Sequence, residues 1–370
     1  MPLSQDEQDA LRRRCRIVVG GHRESAPGEE LAKVGEWCRE HGWHADRYGD
    51  GALIGAFEAK VAALLGKDAA VFMPSGTMAQ QIALRIAAER TGNPLFAMHP
   101  TSHLELHEFR AYARLQRLEA VLLGPHDRPM LAGDLEAYPE RLAALLVELP
   151  AREIGGQLPT WDELRELSEL ARARGVHLHM DGARLWEARE AYVPRSLADI
   201  CALFDSVYVS FYKGIGALSG AMLAGRSELV REARVWRKRL GGTLWQLHPY
   251  VASAAMRFDA QLAKMPAYRA RALALADHLA RIPGVRVLPF PPQVNLFHVY
   301  WPASAAALTV ARDRLAEDDS AWIAGRFSAA PLPGWSYQEL YVGDNLLALD
   351  DAVVAPLFAK LLAVAQAAPA

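Results

Sequence analysis

The chain has 370 residues, 51% of them apolar and 23% charged, with a formal net charge of −2. That length allows about two domains around a large buried core. The near-neutral balance argues against a general pull toward nucleic acid or anionic membranes, and no stretch approaches the roughly 18–20 apolar residues of a membrane span.

The first ~45 residues are expected to form helical segments with loops, among them a helix over Gly28 to His41. Two short basic runs, Arg12 to Arg14 and Arg234 to Arg239, suit solvated helix faces or subunit contacts. A small-residue loop, Tyr48 to Gly55, leads into an amphipathic helix over Ala56 to Leu65, whose Phe57, Val61 and Leu64 share one stripe. Ala69 to Met73 is predicted as a short buried strand, followed by Ser75-Gly76-Thr77 at the start of a helix through Ala88, with Ser75 or Thr77 as its cap. Strands and helices then alternate. Strands are predicted at Pro94 to Met98, Leu118 to Leu123, within Leu142 to Leu149, and at Val176 to Met180, Ser206 to Phe211 and Ala221 to Gly225, with an amphipathic helix over Trp161 to Arg174. This alternation implies a mainly parallel sheet covered by helices on both faces. Trp245 to Ile282 has long helical spacing. Strands Val285 to Pro289, Leu296 to Trp301 and Glu339 to Val342, with helices between them, imply a smaller α+β domain. Three segments are therefore expected: 1–47 helical, 48–265 a large domain, and 266–370 a small C-terminal domain. Cys15, Cys38 and Cys201 are far apart and lack CxxC partners, and the acidic N-terminus lacks the build of a signal peptide, so a reducing cytoplasm is expected.

Three fragments stand where ligands bind in such sheets, beyond the carboxyl ends of strands. Lys213 ends an apolar run. A lysine there is costly unless it has a partner, and a Schiff base with an aldehyde supplies one. Gly214 and Gly216 would leave room for a ring. Asp181 ends another run and could keep a pyridine nitrogen protonated; its bland alternative is an ion pair with Arg184. Ser75, Gly76 and Thr77 open a helix, where free N–H groups and hydroxyls favour phosphate. An amine, a carboxylate and a phosphate cradle together point to pyridoxal phosphate (PLP). Arg184 is placed to grip a substrate carboxylate. His103, with Glu108, could stack on the ring or move protons, and His99 and His107 compete for that role.

The sharpest rival is a metal-dependent hydrolase. His177, His179 and Asp181 form an HxHxD pattern whose side chains share one strand face, and such ligands suit zinc. No histidine follows the aspartate; Gly182 stands there instead. No GxGxxG follows a strand, and no GxxxxGK[ST] occurs.

Six pieces in order resemble the threonine aldolase and β-eliminating lyase group of fold-type I PLP enzymes. They are Tyr48-Gly-Asp with Glu58, Pro74 to Met78, Ser102-His103 with Glu108, His179 to Leu185, Tyr212 to Ala217, and Arg237 to Gly242. The resemblance implies Lys213 as the Schiff-base lysine, Asp181 as the pyridinium partner, and Ser75, Gly76 and Thr77 as the phosphate site. It also implies His103 over the ring, Arg184 and Tyr48 toward the substrate, and a homodimer or homotetramer. The implied reaction is retro-aldol cleavage of a threonine-like amino acid to glycine and an aldehyde, with β-elimination, transamination or racemisation as alternatives. The chain departs from the family pattern at Ile17 to Gly21, at Glu148 to Arg152, at Trp245, where an arginine is usual, and at Glu339 to Gly343, where a second carboxylate-binding arginine is expected.

Overall fold

The computed structural model describes residues 3–367. The chain divides into two compact units, Ser25–Lys264 and the remainder, in which the residues before Ser25 group with those from Met265 onward. Strand β1 (Ile17–Val18) belongs to that second unit and pairs in parallel with Ala321–Trp322.

The larger unit is built on seven strands: β2 (Ala69–Met73), β3 (Leu95–Met98), β4 (Glu119–Leu122), β5 (Ala144–Glu148), β6 (His177–Gly182), β7 (Ser206–Ser210) and β8 (Ala221–Gly225). Their order is β2-β8-β7-β6-β5-β3-β4. Only β8 runs antiparallel to its neighbours; the other pairings are parallel. The architecture is the expected α/β one, a mostly parallel sheet with helices. Central strands such as β7 and β8 are buried along their whole length, which is why they read as continuous apolar runs. The edge strand β4 is only partly covered, and charged Glu119 opens it.

Local signals place the helices. Ser75 caps the helix Gly76–Thr91 by accepting a hydrogen bond from the Met78 N–H, and Gly92, at φ 64°, ends it in the left-handed region. The helix Trp161–Ala173 starts with a capping box, in which Thr160 and Glu163 exchange side-chain and backbone hydrogen bonds. It buries Leu164, Leu167, Ser168 and Ala171, a stripe of helical period.

The long helical stretch expected from Trp245 to Ile282 is two helices, His248–Leu262 and Met265–Ala280. Pro266 explains the break: it has no N–H for the Leu262 carbonyl and its ring would clash with that turn, so it starts a helix rather than continuing one.

The second unit carries β9 (Arg286–Leu288), β10 (Leu296–Trp301), β11 (Ala321–Trp322), β12 (Ser328–Ala329) and β13 (Ser336–Tyr341). An antiparallel sheet of order β12-β13-β10-β9 buries Phe297, Val299, Trp301 and Leu340 in a core with Leu275, Leu308, Leu315 and Phe358. Among the described residues the three cysteines are free, and no helix is long and apolar enough to cross a membrane.

Candidate active site

The carboxyl ends of β2, β3, β6 and β7 converge on one narrow cavity. It is lined by Gly76, Thr77, Gln80, His103, Glu108, Asp181, Tyr208, Tyr212 and Lys213. Five of the residues singled out from sequence, Lys213, Asp181, His103, Gly76 and Thr77, therefore face a common space, with Glu108 beside them.

Register explains the floor. Glu148 pairs with Asp181 across β5 and β6, and Asp181 with Tyr208 across β6 and β7, so the three side chains form one row on one face of the sheet. Asp181 is 2% exposed and accepts a hydrogen bond from the Ala183 N–H at 3.0 Å. Burial raises its pKa, with Lys213 and that N–H opposing. Glu148 is pushed up to about 8, by burial first and by the Asp181 charge second. Two carboxylates so close in a dry site cannot both ionise freely. The Lys213 amine is pulled below its ordinary range by burial and then by the Arg184 guanidinium, while Asp181 and Glu148 resist. Among the described residues no hydrogen bond holds its Nζ, which lies 5.7 Å from the centre of the Tyr212 ring.

His103 Nδ1 lies 3.1 Å from Glu108 Oε1, and the Gln81 amide donates to Glu108 Oε2. A carboxylate only accepts, so Nδ1 carries the proton and Nε2 of the neutral ring is left as the base. The competing histidines are engaged elsewhere. His99 is bonded to Thr101 Oγ1 and to the carbonyls of Pro125 and Arg128, and His107 pairs with Glu153.

Other expected residues fall outside the lining. The Ser75 hydroxyl is occupied by its cap. Arg184 is partly buried and acts on Lys213 through its charge. Tyr48 is 56% exposed and packs edge-to-face on Trp245. Gly214 makes room for Glu187 rather than for a ring: a Cβ there would stand 2.4 Å from Glu187 Oε1. The HxHxD metal reading is not supported. His177 and His179 both turn to Ser206 Oγ, at 2.7 Å each, and among the described residues no three His, Cys, Asp or Glu side chains are grouped to hold a metal.

Gln80, Tyr208 and Tyr212 were not singled out from sequence. Tyr208 and Tyr212 lie in the run that ends at Lys213, and Gln80 lies one turn beyond Gly76; strand and helix period alone could have placed them.

The donor set suits PLP. Gly76 and Thr77, the first two residues of the helix Gly76–Thr91, line the cavity, and the free N–H groups of a helix start together with a hydroxyl suit a phosphate. Only glycine fits at 76, where a Cβ would stand 2.0 Å from the Tyr208 hydroxyl. A carboxylate and an amine stand across the space for a ring nitrogen and an aldehyde.

Residues 42–302 match the Beta-eliminating lyase family. An aldolase of Penicillium aethiopicum, vrtJ, is 37% identical over 65% of this chain and 63% of its own length, so this chain spans less than two thirds of that relative. The low specificity L-threonine aldolase of Escherichia coli K12 is 30% identical over 63% of this chain and 71% of its own. Among solved structures, a putative L-allo-threonine aldolase of Listeria monocytogenes superposes with a TM-score of 0.89 at 40% identity, covering 96% of this chain and 98% of that one. A putative aromatic amino acid beta-eliminating lyase/threonine aldolase of Exiguobacterium gives 0.90 at 38%, covering 96% and 99%.

Proposed function

This chain belongs to the beta-eliminating lyase family, and from that premise we propose that it is a PLP-dependent carbon–carbon lyase that cleaves a β-hydroxy-α-amino acid to glycine and an aldehyde. One observation carries the reading: Lys213 and Asp181 line a single cavity with the start of the helix Gly76–Thr91. When bound, PLP supplies an aldehyde to an amine and a ring that takes up electrons from the breaking bond.

The chain's own residues do the rest. Lys213, its pKa lowered by burial, offers an uncharged amine more readily than a surface lysine would. Asp181 would hold the ring nitrogen and favour its protonated form. Gly76 and Thr77 hold phosphate, with Ser75 fixing the helix start. Arg184 would bind the substrate carboxylate and so orient the amino acid for cleavage. His103 Nε2 takes the proton of the β-hydroxyl as the Cα–Cβ bond breaks, while Glu108 holds the ring in the matching tautomer. A proton delivered to Cα completes glycine. Tyr48, exposed against Trp245, serves the substrate side, and the enzyme works as a cytoplasmic homodimer or homotetramer in which Arg237 to Gly242 serves a neighbouring site.

Product analysis tests this. PLP-loaded protein given threonine should yield glycine and acetaldehyde in equal amounts. Ammonia with a keto acid would replace the aldol reading by β-elimination. A protein that takes up no PLP would overturn both.

A further inference from the structure

Behind the cavity runs a chain of four polar side chains, three of them buried and the fourth, His177, partly so. His177 Nε2 lies 2.7 Å from Ser206 Oγ, His179 Nδ1 lies 2.7 Å from the same oxygen, and His179 Nε2 lies 2.7 Å from Gln80 Oε1. Strand register builds it: Ser206 is the direct partner of His179 across β6 and β7, and His177 sits two residues back on the same face. The helix Gly76–Thr91 lays Gln80 against them, one turn beyond Gly76.

With the Gln80 Oε1 placed toward His179 Nε2, the direction of each hydrogen bond follows in turn. The Gln80 carbonyl oxygen only accepts, so His179 Nε2 carries a proton and donates it. Burial first, and His177 second, hold the His179 pKa down at about 3, so the ring is neutral and Nδ1 must accept. Ser206 spends its hydroxyl proton on that nitrogen. Its oxygen then accepts from His177 Nε2–H. With the Gln80 oxygen taken, the amide NH2 is what Gln80 has to offer the cavity it lines, on the floor that also carries Asp181. The reverse arrangement would aim a carbonyl into a cavity that already holds two carboxylates, Asp181 and Glu108.

We propose that Gln80 is a cofactor-positioning residue, held by the His177–Ser206–His179 chain so that its NH2 donates to an anionic acceptor in the pocket. This rests on the PLP reading above. The chain also gives the two histidines of β6 a role in which both turn to Ser206: they set the polarity of an amide.

Three measurements test it. First, 15N NMR of the wild-type apoprotein should place the His179 proton on Nε2; a proton on Nδ1 overturns the proposal without any variant. Second, Gln80→Met, similar in size but without a donor, should raise the Kd for PLP about tenfold. Third, Gln80→Glu keeps the shape but replaces the donor by an acceptor, and should raise it at least as far. Melting temperatures of the apoproteins show that each variant is folded. Wild-type Kd values in both folded variants would overturn the proposal. If wild type itself takes up no PLP, the cofactor reading fails, and the His179 tautomer still decides the polarity of the chain.

Discussion

Two lysines stand at opposite ends of the same seven-stranded sheet. Lys67 precedes β2 at the amino ends of the parallel strands, and Lys213 follows β7 at their carboxyl ends. Burial lowers the pKa of both. Lys67 points its Nζ at a main-chain acceptor, the Phe204 carbonyl, at 2.5 Å, in a cleft with Asp205 and Arg226. Asp205 there accepts from the Leu178 N–H and helps to tie down the strand start. Lys213 sits among opposing charges, Asp181 and Glu148 against Arg184 and Arg152, with no hydrogen bond to its Nζ among the described residues. A buried amine with a backbone partner is fixed and closes a structural gap. One balanced between charges keeps its lone pair available for chemistry.

That contrast breaks most visibly at Lys213. Lys213→Ala should lower turnover by at least about a thousandfold and abolish the covalent trapping of PLP by borohydride. Trapping that survives would move the reactive amine elsewhere and remove the distinction between the two ends. Asp181→Asn comes next. The ring nitrogen would lose a charged partner, and turnover should fall about a hundredfold while some cofactor is retained. Wild-type turnover in this variant would mean that the aspartate is as structural as Asp205.

Glu148→Gln sharpens the contrast through stability. The Glu148 pKa is raised to about 8, mainly by burial. Between the ordinary carboxylate range and about pH 8, the folded protein therefore keeps a proton that the unfolded chain has released. Its stabilising contribution is complete below that window and is lost as pH rises through it, with a slope approaching about 1.4 kcal/mol per pH unit. His179 acts in the opposite sense. Its folded pKa of about 3 makes a contribution that is complete above the ordinary histidine pKa and is lost as pH falls toward 3. The amide that Glu148→Gln introduces cannot titrate, so urea denaturation of the apoprotein should show the variant gaining on wild type as pH rises from about 5 to about 8. Parallel curves would show that Glu148 is already ionised in the folded protein.

Sequence reached these two ends unequally. Strands Ala69–Met73 and Ala221–Gly225 were legible to the residue, because strands buried on both faces leave unbroken apolar runs, whether at the sheet's edge like the first or inside it like the second. Lys213, Asp181 and the helix start at Gly76 were legible because an amine, a carboxylate and a glycine are conspicuous at strand ends. The row Glu148–Asp181–Tyr208 was not, since register between distant strands leaves no local trace. The same reason hid the pairing of Ile17–Val18 with Ala321–Trp322, two strands of two residues some 300 positions apart. His177 and His179 suggested a metal because spacing shows which side chains share a face, but not that Ser206 stands opposite to receive them. Gln80 gave no signal of its own: one amide on a helix gains meaning only from the partner that takes its oxygen.

The smallest effect belongs to Lys67, and it is the one that separates the two ends most cleanly. Lys67→Met keeps most of the aliphatic stem and removes the charge and the hydrogen bond to Phe204. The freed carbonyl borders a cleft open to water, so its loss of a partner is partly made good by solvent. Removing a partly buried cation also removes its desolvation cost, which offsets some of the lost bond. The balance should be a destabilisation of about 1 kcal/mol, read by urea denaturation, with turnover within about twofold of wild type. A drop in turnover comparable to that of Asp181→Asn, at unchanged stability, would show that the amino-end cleft communicates with the cavity at the other end of the sheet. The two lysines would then belong to one functional system rather than to a structural end and a reactive one.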